Sequence, residues 1–142
     1  MLSFAGAATG GPREALLVVG LGLDLVELGR VARMLDRWGP RLLDKLMGLE
    51  EAEALPSGGE ERTLALARAI AAKEAGSKAI GTGWSRGVRW RDVVLAAGPP
   101  PAVHLVERAA AEARRLGSAG ACRVRFERRG DLVLCEVRLL GA

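Results

Sequence analysis

The sequence predicts an α+β fold, with helices packed on one face of a mostly antiparallel sheet. Length and composition set the frame. The chain has 142 residues, which is one domain's worth, and 49% of them are hydrophobic against 27% charged. That is enough apolar side chain to bury a core, so wholesale disorder is excluded. The third observation is the order of segments, read as β-α-α-α-β-β-α-β-β, which is the layering of such a domain. Residues 1–15, small and ending near Gly10-Gly11-Pro12, read as a flexible tail, and residues 16–142 as a single domain.

The elements follow in order. Leu16 to Val26 (LLVVGLGLDLV) is short, apolar and interrupted by two glycines, as a buried strand would be. Asp24 is the one charge in that run, and an ionised carboxylate is costly to bury without a partner. From Glu27 to about Trp38, the spacing of Leu28, Val31, Ala32 and Leu35 predicts an amphipathic helix that stops at Gly39-Pro40. Leu42 to Leu55 continues as one or two short helices, and Pro56-Ser57-Gly58-Gly59 is a loop. Thr63 to Ile80, full of Ala, Leu, Lys and Glu, is the strongest helix, with Gly81 as its stop. A strand is expected over Gly87 to Ala96, then a short one over Ala102 to Leu105, then a helix through Leu116. Cys122 to Glu127 and Leu132 to Leu139 read as two strands joined by a turn at Arg128 to Asp131.

Several classes of function are excluded or disfavoured. No stretch approaches the roughly 20 apolar residues of a membrane-spanning helix, and no basic residue precedes the short apolar start, so a cytoplasmic protein is expected. Net charge is +4, from 21 Lys and Arg against 17 Asp and Glu. This favours an anionic partner. Nucleic acid is not the expected one, because three Trp, two Phe and no Tyr make no stacking platform. Cys122 and Cys135 form no disulfide framework, and with His104 as the one histidine there is no zinc-type ligand set. They read as small buried residues, and His104 as a surface residue.

The chemistry-bearing cluster lies on the central helix: Lys73-Glu74-Ala75-Gly76-Ser77-Lys78, then Gly81-Thr82-Gly83. At about 100° per residue Glu74, Ser77 and Lys78 share one side, with Lys73 beside Ser77. A carboxylate flanked by lysines and a hydroxyl can hold a hard cation together with its phosphate ligands, and Asp24 is the natural second carboxylate. Gly81-Thr82-Gly83 offers backbone N–H groups and a hydroxyl to a phosphate. On spacing alone each feature has a commoner reading: a solvated face with an i,i+4 ion pair, a helix stop, a hydrogen-bonding aspartate.

Gly20-Leu21-Gly22-Leu23-Asp24-Leu25-Val26-Glu27-Leu28 with Arg30, and Ala71 through Gly83, resemble the two motifs of holo-acyl-carrier-protein synthases, which are 4′-phosphopantetheinyl transferases. Arg41 to Leu46, the Glu50-Glu51 pair and Trp90-Arg91-Asp92-Val93 fit the same pattern, so the likeness runs from about residue 17 to 121. It implies the 4′-phosphopantetheinyl transferase-like fold and a homotrimer with sites between subunits. It also implies Mg2+-dependent transfer of the 4′-phosphopantetheine arm of coenzyme A to a serine of an acyl carrier protein, releasing 3′,5′-ADP. Carried over, Asp24 and Glu74 are the magnesium ligands, and Lys78 contacts the pyrophosphate. Lys73, Ser77, Gly81, Thr82 and Gly83 line the nucleotide site. Arg30, Arg33, Arg37 and Arg41 face the acidic carrier protein.

Two departures stand out. Members of this family carry Ser-x-Ser/Thr-His on a late strand, with the His close to the nucleotide's 3′-phosphate; here Phe126 occupies that position. They also carry an Arg where this chain has Ala69, with Arg68 one position early. Arg123 and Arg125, alternating onto one face, either take over the phosphate or form an exposed polar face opposite Cys122, Val124 and Phe126. The alternative function is a degenerate relative that binds a carrier protein or coenzyme A without turnover.

Overall fold

The structure, a computed structural model, describes residues 17–141; the expected tail at 1–15 lies outside the described residues. Strand β1 (Val18–Glu27) leads into α1 (Leu28–Trp38), α2 (Pro40–Leu46), α3 (Leu49–Glu53) and the 21-residue α4 (Gly59–Ala79). After a loop come β2 (Val93–Ala96), β3 (Ala102–Leu105), α5 (Glu107–Arg115), β4 (Cys122–Arg129) and β5 (Leu132–Leu140). The α+β class is as read, and among the described residues no helix is long and apolar enough to cross a membrane.

The strands form two antiparallel sheets rather than one: β1-β5-β4, and the hairpin β2-β3. The register pairs Gly22 with Val137, Asp24 with Cys135 and Val26 with Val133 on one side of β5, and Val124 with Val137 and Phe126 with Cys135 on the other. Helix α4 lies across this sheet. Its Leu66, Ala67, Ala71, Ala72 and Ala75 are buried with Val133, Cys135, Val137 and Leu139 of β5. A helix apolar nearly all round is expected to be enclosed, and β2 packs on its far side through Val93.

Three boundaries differ from expectation, each for a local reason. The strand read over Gly87 to Ala96 begins only at Val93, because Trp90–Asp92 form a 3-10 turn. Buried Asp92 takes the Arg89 amide at 2.9 Å and its guanidinium at 3.2 Å, which bends the chain there. Helix α4 starts four residues early, at Gly59, so Glu60 and Glu61 fall in its first turn, where acidic charge is favourable. The last hairpin is tighter than expected, turning on Gly130-Asp131.

Among the described residues, no helix packs on the other face of the three-stranded sheet. Leu21, Leu23 and Leu25 of β1 and Leu132 of β5 stand on it substantially exposed.

Candidate active site

The site sits where β1 crosses α4, and two glycines make the crossing close. A Cβ at Gly20 or Gly22 would overlap the carbonyl of Ala79 or Ala75. With side chains alternating along a strand, the next residue on the α4 side is Asp24. Its Oδ1 accepts from Lys78 Nζ at 3.1 Å, and the same ammonium reaches the Leu23 carbonyl at 3.2 Å.

Glu74 lies one turn before Lys78, and its Oε2 accepts a hydrogen bond from Trp84 Nε1 at 3.3 Å. Burial first, and then the neighbouring Asp24 carboxylate, raise the Glu74 carboxyl above its ordinary value; the Trp84 hydrogen bond, Lys78 and Arg30 oppose them. Arg30 comes from α1, whose start is held by the last turn. The Leu28 amide donates to the Asp131 carbonyl at 2.8 Å, and the Gly29 amide to Asp131 Oδ2 at 3.2 Å. Asp24, Arg30, Lys45, Glu74 and Trp90 line a cavity of about 560 Å³, with Met34, Leu42, Leu46 and Ile70 as its apolar wall. A second cavity of about 620 Å³, between α1, the start of α4 and the last turn, holds none of the residues expected at a site.

A divalent cation fits this donor set. Two neighbouring carboxylates, with a lysine already drawn to one of them, are what a magnesium site supplies, waters and phosphate oxygens completing the shell. No cluster of three or more acidic, His or Cys ligands exists among the described residues.

Other expected members are elsewhere. Lys73 is completely buried: its Nζ donates to Glu51 Oε1 at 2.8 Å, the Trp90 carbonyl at 3.0 Å and the Val93 carbonyl at 2.6 Å. It faces α3 and β2, so its assignment to the nucleotide site is corrected. Ser77 is buried as well, with its hydroxyl donating to the Glu74 carbonyl of its own helix at 2.7 Å. The Gly81 and Gly83 amides are engaged by the Lys78 and Ser77 carbonyls at 3.0 and 3.1 Å, so they close the end of α4 rather than standing open to a phosphate. Both have positive φ, +80° and +54°, which glycine adopts freely. Thr82 Oγ1 donates to the Gly83 carbonyl at 2.9 Å.

Arg123 and Arg125 do share one face of β4, with Cys122, Val124 and Phe126 on the inner one. That face is the open side of the sheet, opposite Arg138 and Glu136. Within one chain the two arginines are therefore across the sheet from Asp24 and Glu74. Arg33, Arg37 and Arg41 are exposed along α1 and α2. Arg33 lies 3.6 Å from Glu27, and the Arg37 guanidinium sits 5.0 Å over Trp38. Of these four arginines only Arg30 lines the cavity with the carboxylates. Arg68 lies 5.9 Å over the ring of Phe126, so the two departures meet each other. Burial pushes the Cys122 thiol up to about 11 and the Cys135 thiol up to about 12, and both remain unpaired.

Trp84 and Trp90 were not expected at the site. Their rings stack with centroids 4.2 Å apart and planes at 22°. The available signal was that two of only three tryptophans follow the Gly-Thr-Gly loop within seven residues.

A family model described as the 4′-phosphopantetheinyl transferase superfamily matches residues 20–133. The holo-[acyl-carrier-protein] synthase of Alkalilimnicola ehrlichii is 39% identical over 106 residues, covering 73% of this chain and 83% of that one. The crystal structure of holo-[acyl-carrier-protein] synthase from Neisseria meningitidis superposes with a TM-score of 0.74 at 26% identity, covering 87% of this chain and 98% of that one. A holo-(acyl-carrier-protein) synthase from Bacillus anthracis, in complex with CoA (3′,5′-ADP), superposes with a TM-score of 0.68 at 25% identity, covering 90% of this chain and all of that one.

Proposed function

This chain belongs to the 4′-phosphopantetheinyl transferase superfamily, in its holo-acyl-carrier-protein synthase branch, and from that membership we propose that it transfers the 4′-phosphopantetheine arm of coenzyme A to a serine of an acyl carrier protein, releasing 3′,5′-ADP. The observation that carries the reading is the convergence of Asp24, Glu74, Lys78 and Arg30 at one crossing. They come from two segments some fifty residues apart in sequence. A related enzyme bound to coenzyme A adds support for the donor.

The serine oxygen forms a bond to the pantetheine-side phosphorus, and the bond from that phosphorus to the 3′,5′-ADP oxygen breaks. Asp24 and Glu74 would hold Mg2+, which when bound would neutralise the pyrophosphate charge and polarise its P–O bonds. Lys78, half exposed, moves its ammonium from Asp24 toward the departing bisphosphate and balances its growing charge. A carboxylate of the pair receives the serine proton. Arg30, at the cavity mouth, and Arg33, Arg37 and Arg41 beyond it meet an acidic carrier protein and speed its encounter.

The open sheet face is assigned to the homotrimer. Leu21, Leu23, Leu25 and Leu132 form an apolar area that monomers rarely leave in water. In that assembly Arg123 and Arg125 belong to a neighbour's nucleotide site, which a single chain leaves without them. A cytoplasmic setting suits two unpaired thiols.

Intact-mass spectrometry of an apo acyl carrier protein incubated with the chain, coenzyme A and Mg2+ is the direct test. The carrier should gain one phosphopantetheine, and EDTA, Asp24→Asn or Glu74→Gln should abolish the gain. An unchanged mass across several carrier proteins, with the fold intact, would turn the reading to a non-catalytic binder.

A further inference from the structure

Lys73 and Glu74 are consecutive on α4 and diverge by about 100° around its axis, one into the core and one toward the cavity. The loop after α4 joins them again. Buried Lys73 holds the Trp90 carbonyl at 3.0 Å, and is itself fixed by Glu51 Oε1 at 2.8 Å and the Val93 carbonyl at 2.6 Å. The Trp90 ring, anchored by its main chain, carries the Trp84 ring at 4.2 Å. The Trp84 indole then donates from Nε1 to Glu74 Oε2 at 3.3 Å. The chain of contacts runs from a fully buried ammonium through two stacked rings to a carboxylate on the cavity wall.

We propose that Trp84, braced by Trp90, is the positioning residue for the Glu74 carboxylate, holding Oε2 so that Oε1 is the oxygen offered to a divalent cation. The inference rests on Glu74 being a metal ligand. A free glutamate side chain has three rotatable bonds, and a ligand has to remove that freedom on binding unless the protein has already done so. Partners that orient a ligating carboxylate affect metal affinity without touching the metal. Indole suits this role, because it only donates and so cannot compete with the carboxylate for the cation.

The test is a Mn2+ titration of the intact protein followed by electron paramagnetic resonance, with melting temperature measured alongside. Trp84→Phe keeps a ring on Trp90 and removes the N–H; its Mn2+ dissociation constant should rise about tenfold, with the melting temperature little changed. Trp38→Phe alters the one tryptophan outside this stack and should bind within about twofold of the unaltered chain. Glu74→Gln should bind far more weakly than either. Unaltered Mn2+ affinity in Trp84→Phe, or an equal loss in Trp38→Phe, would overturn the positioning role and leave the transferase reading standing. Glu74→Gln binding as tightly as the unaltered chain, or no uptake by the unaltered chain, would overturn both. Should Trp84→Phe fail to melt cooperatively, Trp84→Leu, which removes the N–H and keeps an apolar side chain, decides: a dissociation constant about tenfold higher supports the role, and unaltered affinity overturns it.

Discussion

A lysine with no exposed surface needs an acceptor for each of its protons, and Lys73 has three: Glu51 Oε1, the Trp90 carbonyl and the Val93 carbonyl. Burial lowers its affinity for its proton, and Glu51 and then Asp92 oppose that. The Glu51 side chain, nearly buried itself, also accepts from the Leu95 amide at 3.3 Å. One ammonium thus ties α3, the Trp90 turn and β2 to α4. Lys73→Met should lower the unfolding free energy in urea by about 3–5 kcal/mol, because it strands the Glu51 charge and two carbonyls. Lys73→Met combined with Glu51→Gln should lose less than Lys73→Met alone. If Lys73→Met instead kept full stability and lost affinity for coenzyme A, Lys73 would return to the ligand site.

At the scale of elements, β1 and α4 are the pair that makes the site, and their meeting depends on bare backbone. Gly22→Ala places a methyl against the Ala75 carbonyl, so β1 must lift from α4 and carry Asp24 with it. The expected cost is about 1–3 kcal/mol in chemical denaturation. Transfer should fall further than the folded fraction does, since a shift of about 1 Å at a catalytic group costs on the order of a hundredfold. Both elements were legible in the sequence nearly to their ends, because apolar runs and glycine stops mark them. The inward face of α4 was not. A helical wheel gives angles between residues but no zero, and a helix enclosed nearly all round has no polar stripe to supply one. Lys73 was therefore grouped with Glu74 and Lys78, although its ammonium is held by Glu51, Trp90 and Val93 in the core. The same limit applies to β4. Period two put Arg123 and Arg125 on one face, but which face looks toward Asp24 depends on the pairing of Phe126 with Cys135, a contact the local pattern does not encode. Asp92 broke the expected strand through a hydrogen bond to a residue only three positions away, yet period-two patterning is blind to it.

For the whole molecule, the three-stranded sheet has one face closed by α4 and one face of leucines and arginines. Leu23 is at the middle of the β1 stripe, with Leu21 and Leu25 on either side and Glu136 opposite it. Leu23→Asp adds no volume to the core and removes nothing from the α4 side. It should leave a cooperatively folding chain that sediments as a monomer, where the proposed assembly has the unaltered chain sedimenting as a trimer. Transfer should be lost with the assembly, although Asp24, Glu74 and Lys78 are untouched. Mixed subunits sharpen the point. Asp24→Asn would spoil the metal half of the proposed site, and Arg125→Glu the half proposed to come from its neighbour. If sites span two chains, refolding these two inactive variants together at equal amounts should give back about a quarter of full activity, since half of the sites keep Asp24 and half of those meet a neighbour with Arg125. Co-refolding of the two inactive variants that restores nothing would confine each site to a single chain, and an Arg125→Glu chain as active by itself as the unaltered one would leave the arginine face to subunit contact alone.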